Sequence, residues 1–136
     1  MLVILDTNIL ISALLVQSGN PAILYRAWVE GEFDLLMCSQ QLSELRSTLR
    51  KPSLAERIHP HSAGRMVNDL KRLTVMLGPL PKVERSDDPE DDFLLAMAEA
   101  GDADYLVTGD KSGLLALVRH KRTRILSATE FVALLG

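Results

Sequence analysis

Four carboxylates stand where chemistry could be done: Asp6, Glu44, Asp92 and Asp110. Asp6 directly follows the apolar run Leu2-Val3-Ile4-Leu5, and Asp110 closely follows Tyr105-Leu106-Val107-Thr108. Both runs read as buried parallel strands. In an open α/β sheet, ligands bind beyond the carboxyl ends of the strands, so both acids fall at a ligand-binding edge. Glu44 lies about one turn into a helix that starts after another strand, off its Leu42/Leu45/Leu49 stripe. Asp92 opens the almost wholly apolar stretch Phe93–Ala98. Carboxylates sharing a small site repel and need compensation. A divalent cation with oxygen ligands, Mg²⁺ above all, supplies it. The matching reaction is phosphodiester hydrolysis, with the metal activating water and stabilising the developing charge.

Each acid also has an ordinary structural reading. Asp6 and Asp110 suit helix N-caps, and Glu44 alone reads as a solvated glutamate. In Asp87-Asp88-Pro89-Glu90-Asp91-Asp92, Asp88 is a good N-cap and Pro89 fits the first helical position. Asp91 falls where a capping-box acid belongs, and all of these acids suit the helix dipole. Asp92 is left over, at the mouth of a buried helix, where a carboxylate needs a partner. Asn8 and Asp104 read as turn residues.

The elements that must position these acids alternate from end to end. Strands are predicted at 2–5, 33–38, 82–85, 105–108 and 123–126. Helices are predicted at about 8–16, 21–30, 39–51, 54–58, 62–77, 89–100, 110–118 and 128–136. Asn20-Pro21 and Ser39 read as helix starts, and Ser127-Ala128-Thr129-Glu130 as a capping box. The helix over 62–77 carries a stripe of Ala63, Met66, Val67, Leu70, Leu73 and Leu77. The alternation predicts a parallel sheet with helices on both faces. The 136 residues, with no visible repeat or linker, fit a single domain over 1–136.

Composition removes several alternatives. Hydrophobic residues make up 47% and aromatics only 4%, so the core must be aliphatic. A single cysteine excludes an intrachain disulfide and cysteine-cluster metal sites, and fits a cytoplasmic location. No basic leader and no apolar run of membrane-spanning length is present, so no membrane association is expected. A net charge of −3 argues against binding nucleic acid through a broad basic surface. It leaves room for an enzyme that meets phosphates through cations.

Competing constellations are poor. His59, His61 and His120 are scattered, and no phosphate-binding glycine loop or nucleophile elbow occurs. An aspartyl-phosphate phosphatase would want a second Asp where Asn8 stands. Arg119-His120-Lys121-Arg122 with Arg124 reads as a solvated turn. Arg46, Arg50 and Lys51 are better placed for phosphate contacts.

The chain resembles the PIN-domain nucleases. Leu2-Val3-Ile4-Leu5-Asp6-Thr7-Asn8 is similar to the opening of that family. Ser39-Gln40-Gln41-Leu42-Ser43-Glu44-Leu45 is similar to its second motif, Asp88–Ala96 to its third and Ala103–Asp110 to its fourth. The nearest subgroup in pattern is the VapC-type toxin components of toxin–antitoxin systems. The resemblance implies a three-layer α/β/α fold with a mainly parallel sheet. It implies Mg²⁺- or Mn²⁺-dependent endoribonuclease activity on single-stranded RNA. By motif, Asp6, Glu44, Asp92 and Asp110 become metal ligands, with Asn8 and Thr108 as supporting residues. Asp91 is a rival to Asp92, and the capping argument favours Asp92. Family members commonly form homodimers and are inhibited by a small antitoxin protein. The alternative is a catalytically silent PIN-fold module that acts by binding RNA or protein.

Overall fold

The structure is a computed structural model and describes residues 1–110 and 112–136. Six strands form one sheet: β1 (Leu2–Leu5), β2 (Asp34–Met37), β3 (Val75–Met76), β4 (Tyr105–Val107), β5 (Arg119–His120) and β6 (Thr123–Leu126). Their order is β3-β2-β1-β4-β6-β5, parallel throughout except for the antiparallel β5–β6 pair. The helices are α1 (Thr7–Leu15), α2 (Asn20–Val29), α3 (Ser39–Leu49), α4 (Pro52–Ala55), α5 (Pro60–Leu73), α6 (Pro89–Gly101), α7 (Leu114–Leu117) and α8 (Ala128–Leu135).

Successive strand residues point to opposite faces, and this builds three layers. Val3, Leu5, Leu35, Met37 and Val107 face one core, shared with residues of α1, α2, α3, α5 and α8. Ile4, Leu36, Leu106 and Ile125 face the other, against α6 and Leu114 of α7. The first core holds every aromatic but Phe93, which packs against the second, and Phe131 lies edge-on against Phe33 at 5.3 Å between ring centres. β1 lies between β2 and β4, so Asp6 emerges at the middle of the carboxyl edge of the sheet.

Several local expectations hold. Pro21 and Pro89 sit in the first turns of their helices, whereas the small helix expected at 54–58 instead starts at Pro52 and ends at Ala55. Ser127 and Glu130 form both bonds of the capping box. Others are corrected. α5 ends at Leu73, because Val75–Met76 leave the helix to pair in parallel with β2. Met66 and Leu70 of its stripe are buried, whereas Leu73 is exposed. Residues 82–85 form no strand. Cys38 rather than Ser39 occupies the cap position of α3. Gly19 caps α2, which leaves Asn20 to donate to Thr129 Oγ1. Asp104 does more than turn the chain: it accepts from the Leu2 amide at 2.8 Å and from Arg122 at 2.6 Å, tying β1 to the β5–β6 turn. Arg119–His120 is a strand rather than a turn, and its His120 is buried against Glu99 and Arg85. No single helix among the described residues is long and apolar enough to cross a membrane.

Candidate functional site

The site forms at the carboxyl edge of β1 and β4. Asp6 is the N-cap of α1, and its Oδ1 accepts from the Asn8 amide at 3.3 Å. Its Oδ2 accepts from Thr108 Oγ1 at 2.8 Å. The same Thr108 hydroxyl accepts from the Asp110 amide at 3.2 Å. One buried threonine at the end of β4 therefore ties the Asp6 carboxylate to the loop that carries Asp110. Asp110 caps no helix in the ordinary way. Its Oδ1 accepts from the Gly113 amide, just before α7, at 3.1 Å.

In the 87–92 run Asp88 takes the capping role expected of it, whereas Asp91 and Asp92 depart from theirs. Asp88 caps α6 by accepting from the Glu90 amide at 2.9 Å. Ser86 Oγ takes the Asp88 amide that a capping-box acid would have bonded. Asp91 is thereby freed. It lies on the face of α6 shared with Leu94, Leu95 and Ala98, and is buried. Asp92 instead turns outward, and its Oδ1 accepts from the Arg85 amide, the Ser86 amide and Ser86 Oγ at 3.1, 2.8 and 3.0 Å. So Asp91, not Asp92, is the acid drawn toward Asp6 and Asp110. The helical period held a signal for this: positions 91, 94, 95 and 98 form one face. The partner that Asp92 was expected to need is a loop, not a site.

The electrostatics follow. Burial pushes the Asp91 carboxyl up to about 6, helped by repulsion from Asp110, Asp88, Asp6 and Asp92. Burial also raises Asp6, against the lowering effect of the Thr108 hydrogen bond, with Asp110 adding repulsion. Hydrogen bonds from Ser86 and Arg85 hold Asp92 below the usual carboxylate range.

Glu44 projects from α3 into a cleft of about 530 Å³. Asp6, Thr7, Asn8, Ser43, Thr48 and Lys51 line the same cleft. Glu44 thus shares this cleft with Asp6, whereas Asp91 and Asp110 do not line it. Gln41, unremarked in the sequence, is fully buried beneath this wall. Its Nε2 donates to the Leu5 carbonyl at 2.9 Å and reaches Thr7 Oγ1 at 3.4 Å. It clamps the chain on both sides of Asp6, while its Oε1 has no partner.

Two observations bear on whether a cation fits. The donor set is all carboxylate and hydroxyl oxygen, the preference of Mg²⁺ and Mn²⁺. Gly113 is cut to fit: a Cβ there would strike Asp110 Oδ2 and come within 2.7 Å of Asp91 Oδ2. Both carboxylates therefore pack against this one backbone position, close to each other. Among the described residues no three His, Cys, Asp or Glu side chains already stand in a ligand-ready group. A cation would have to draw the repelling carboxylates together. The residues fit such an ion.

Comparisons with known proteins agree with this fold. A family model described as PIN domain matches residues 2–112. The fold is similar to the crystal structure of PAE2754 from Pyrobaculum aerophilum, with a TM-score of 0.61 at 19% identity. That likeness covers 98% of this chain and 88% of the other. No curated protein matches in sequence.

Proposed function

Because the chain belongs to the PIN-domain family, whose members are generally nucleases, we propose that it is a Mg²⁺- or Mn²⁺-dependent endoribonuclease acting on single-stranded RNA. The observation that carries this reading is the packing of the Asp91 and Asp110 carboxylates together against Gly113, with Asp6 tied to Asp110 through the Thr108 hydroxyl. Such a cluster is costly for a fold unless a cation relieves it.

In this reading Asp6, Asp91 and Asp110 hold the cation, and Glu44 reaches it from the facing wall of the cleft. Asp92 is left to shape the 85–86 loop. A bound cation supplies positive charge beside a phosphate oxygen and acidifies a water. The protein's own work is positional. Thr108 fixes the rotamer of Asp6 through one oxygen and leaves Oδ1 turned to the α1 N-terminus. Gly113 fixes Asp110. Ser43, Ser47, Thr48 and Lys51 line the cleft opposite and suit phosphate and ribose oxygens.

The test is cleavage of a fluorescent single-stranded RNA with Mg²⁺ or Mn²⁺, with and without EDTA, beside Asp6→Asn. EDTA and the substitution are each expected to abolish cleavage. Metal-independent cleavage, or full activity of Asp6→Asn, overturns the reading. Calorimetry showing no divalent binding would favour a silent binding module instead. We also propose, from the motif resemblance, that the enzyme is the toxin of a toxin–antitoxin pair and works as a cytoplasmic homodimer. Induced expression should then arrest growth of a bacterial host, and Asp6→Asn should not.

A further inference from the structure

We propose that the groove between α3, α4 and α5 is a second nucleotide-binding subsite, which holds single-stranded RNA beside the scissile position. The inference rests on the ribonuclease reading and deepens it. The groove has a volume of about 460 Å³ and is separate from the acidic cleft. Arg46, Arg50 and Lys71 ring it, and Leu49, Ile58 and Val67 are among its apolar lining.

Three observations point to an anionic, flat-faced occupant. The first is charge. The stretch from Arg46 to Arg72 holds seven of the chain's fifteen Lys and Arg residues but only two of its eighteen acids, in a protein of net charge −3. The second is that the rim cations have no internal purpose. Among the described residues none of Arg46, Arg50 and Lys71 lies within ion-pair distance of a carboxylate. Arg46 and Arg50 also stand four apart on α3, a spacing at which like charges repel. The third is the second face of α5. Met66, Asp69 and Leu70 are buried against the body of the protein. Ala63, Val67, Asn68 and Lys71 are turned instead toward the groove. Half-buried apolar side chains beside cations suit a nucleobase over a phosphate, and Asn68 offers a donor and an acceptor to a base edge.

Continuity with the cleft favours RNA over an acidic protein. Arg50 lines the groove and its neighbour Lys51 lines the acidic cleft. The two depressions therefore lie on either side of the C-terminal end of α3. A strand crossing that end would pass from one to the other along a line of cations.

The test is binding of a fluorescent 12-nucleotide single-stranded RNA in EDTA, where cleavage cannot occur, across a salt series. The chain carrying Arg46→Gln, Arg50→Gln and Lys71→Gln is compared with a control that loses equal charge elsewhere, Arg26→Gln, Lys82→Gln and Arg119→Gln. All six side chains are exposed, and unchanged thermal melts will show intact folding. The groove variant should bind at least tenfold more weakly, with a log–log salt slope shallower by about 2 if all three contact phosphates. The control should bind like the parent. In cleavage assays the groove variant should raise KM for the 12-mer and leave kcat and dinucleotide cleavage unchanged. Equal loss in both variants, no loss in either, or a groove that binds poly-glutamate but not RNA overturns the proposal. RNA binding that depends on the groove, in a chain that never cleaves, would sustain the subsite and refute the nuclease reading.

Discussion

Asp91 and Asp92 are adjacent carboxylates on one helix with opposite environments, and that contrast is testable residue by residue. Asp91→Asn is expected to lower cleavage by at least a hundredfold, whereas Asp92→Asn should cost less than tenfold through loosening of the 85–86 loop. Equal losses in the two variants would show that the loop, not the buried acid, matters. The raised Asp91 carboxyl, at about 6 against 3.8 when unfolded, also has a consequence for stability. As pH rises from about 4 to above 6 the unfolded chain ionises first, so metal-free stability falls across that window. Asp91→Asn should remove that loss. In denaturant melts with EDTA it should be more stable than the parent at pH 8 and equal to it at pH 3.5. Sequence alone points to Asp92, because capping accounts for its neighbour Asp91. What capping arithmetic could not include was Ser86, whose hydroxyl takes the Asp88 amide from six residues before Asp92.

At the scale of elements, the site depends on how β1, β4 and their following turns are pinned. Gln41 reaches from α3 to the Leu5 carbonyl and Thr7, and so couples the second motif to the first. Gln41→Met keeps the volume but strands the buried carbonyl, which should cost about 1–3 kcal/mol of stability. Urea melts will check the magnitude, and a melt identical to the parent's would mean the clamp is idle. The loop from β4 to α7 has a different constraint. Gly113→Ala should weaken divalent binding at least tenfold by calorimetry, because the new methyl would occupy the space that Asp91 and Asp110 share. The strand–helix alternation was readable because each segment carries its own period and cap. β3 was not, since two residues pair only because β2 offers them a free edge. The Lys82–Arg85 run looks strand-like in composition but finds no edge to join.

For the whole molecule, the metal-dependent reading predicts a global effect. A cation that binds only the folded state stabilises it by about 2.7 kcal/mol at a hundredfold excess over Kd. Thermal melts should therefore rise with Mn²⁺ concentration in the parent and not in Asp6→Asn. The uneven charge distribution belongs to this scale too. Acids gather at the carboxyl edge of the sheet, and cations gather on the α3–α5 side, although the net charge alone suggested no basic surface.

Periodicity, caps and the order of motifs were enough to determine a mainly parallel α/β layout, with Asp6 and Asp110 placed at the carboxyl edge of the sheet. These are local properties, carried by residues close together in the chain. Tertiary structure alone decided which of two adjacent aspartates turns inward, that Gln41 braces Asp6, that Gly113 leaves room between two carboxylates, and that scattered cations converge on one groove. Each of those depends on contacts between elements distant in sequence, where burial and charge act through space and the spacing of residues along the chain carries no record of them.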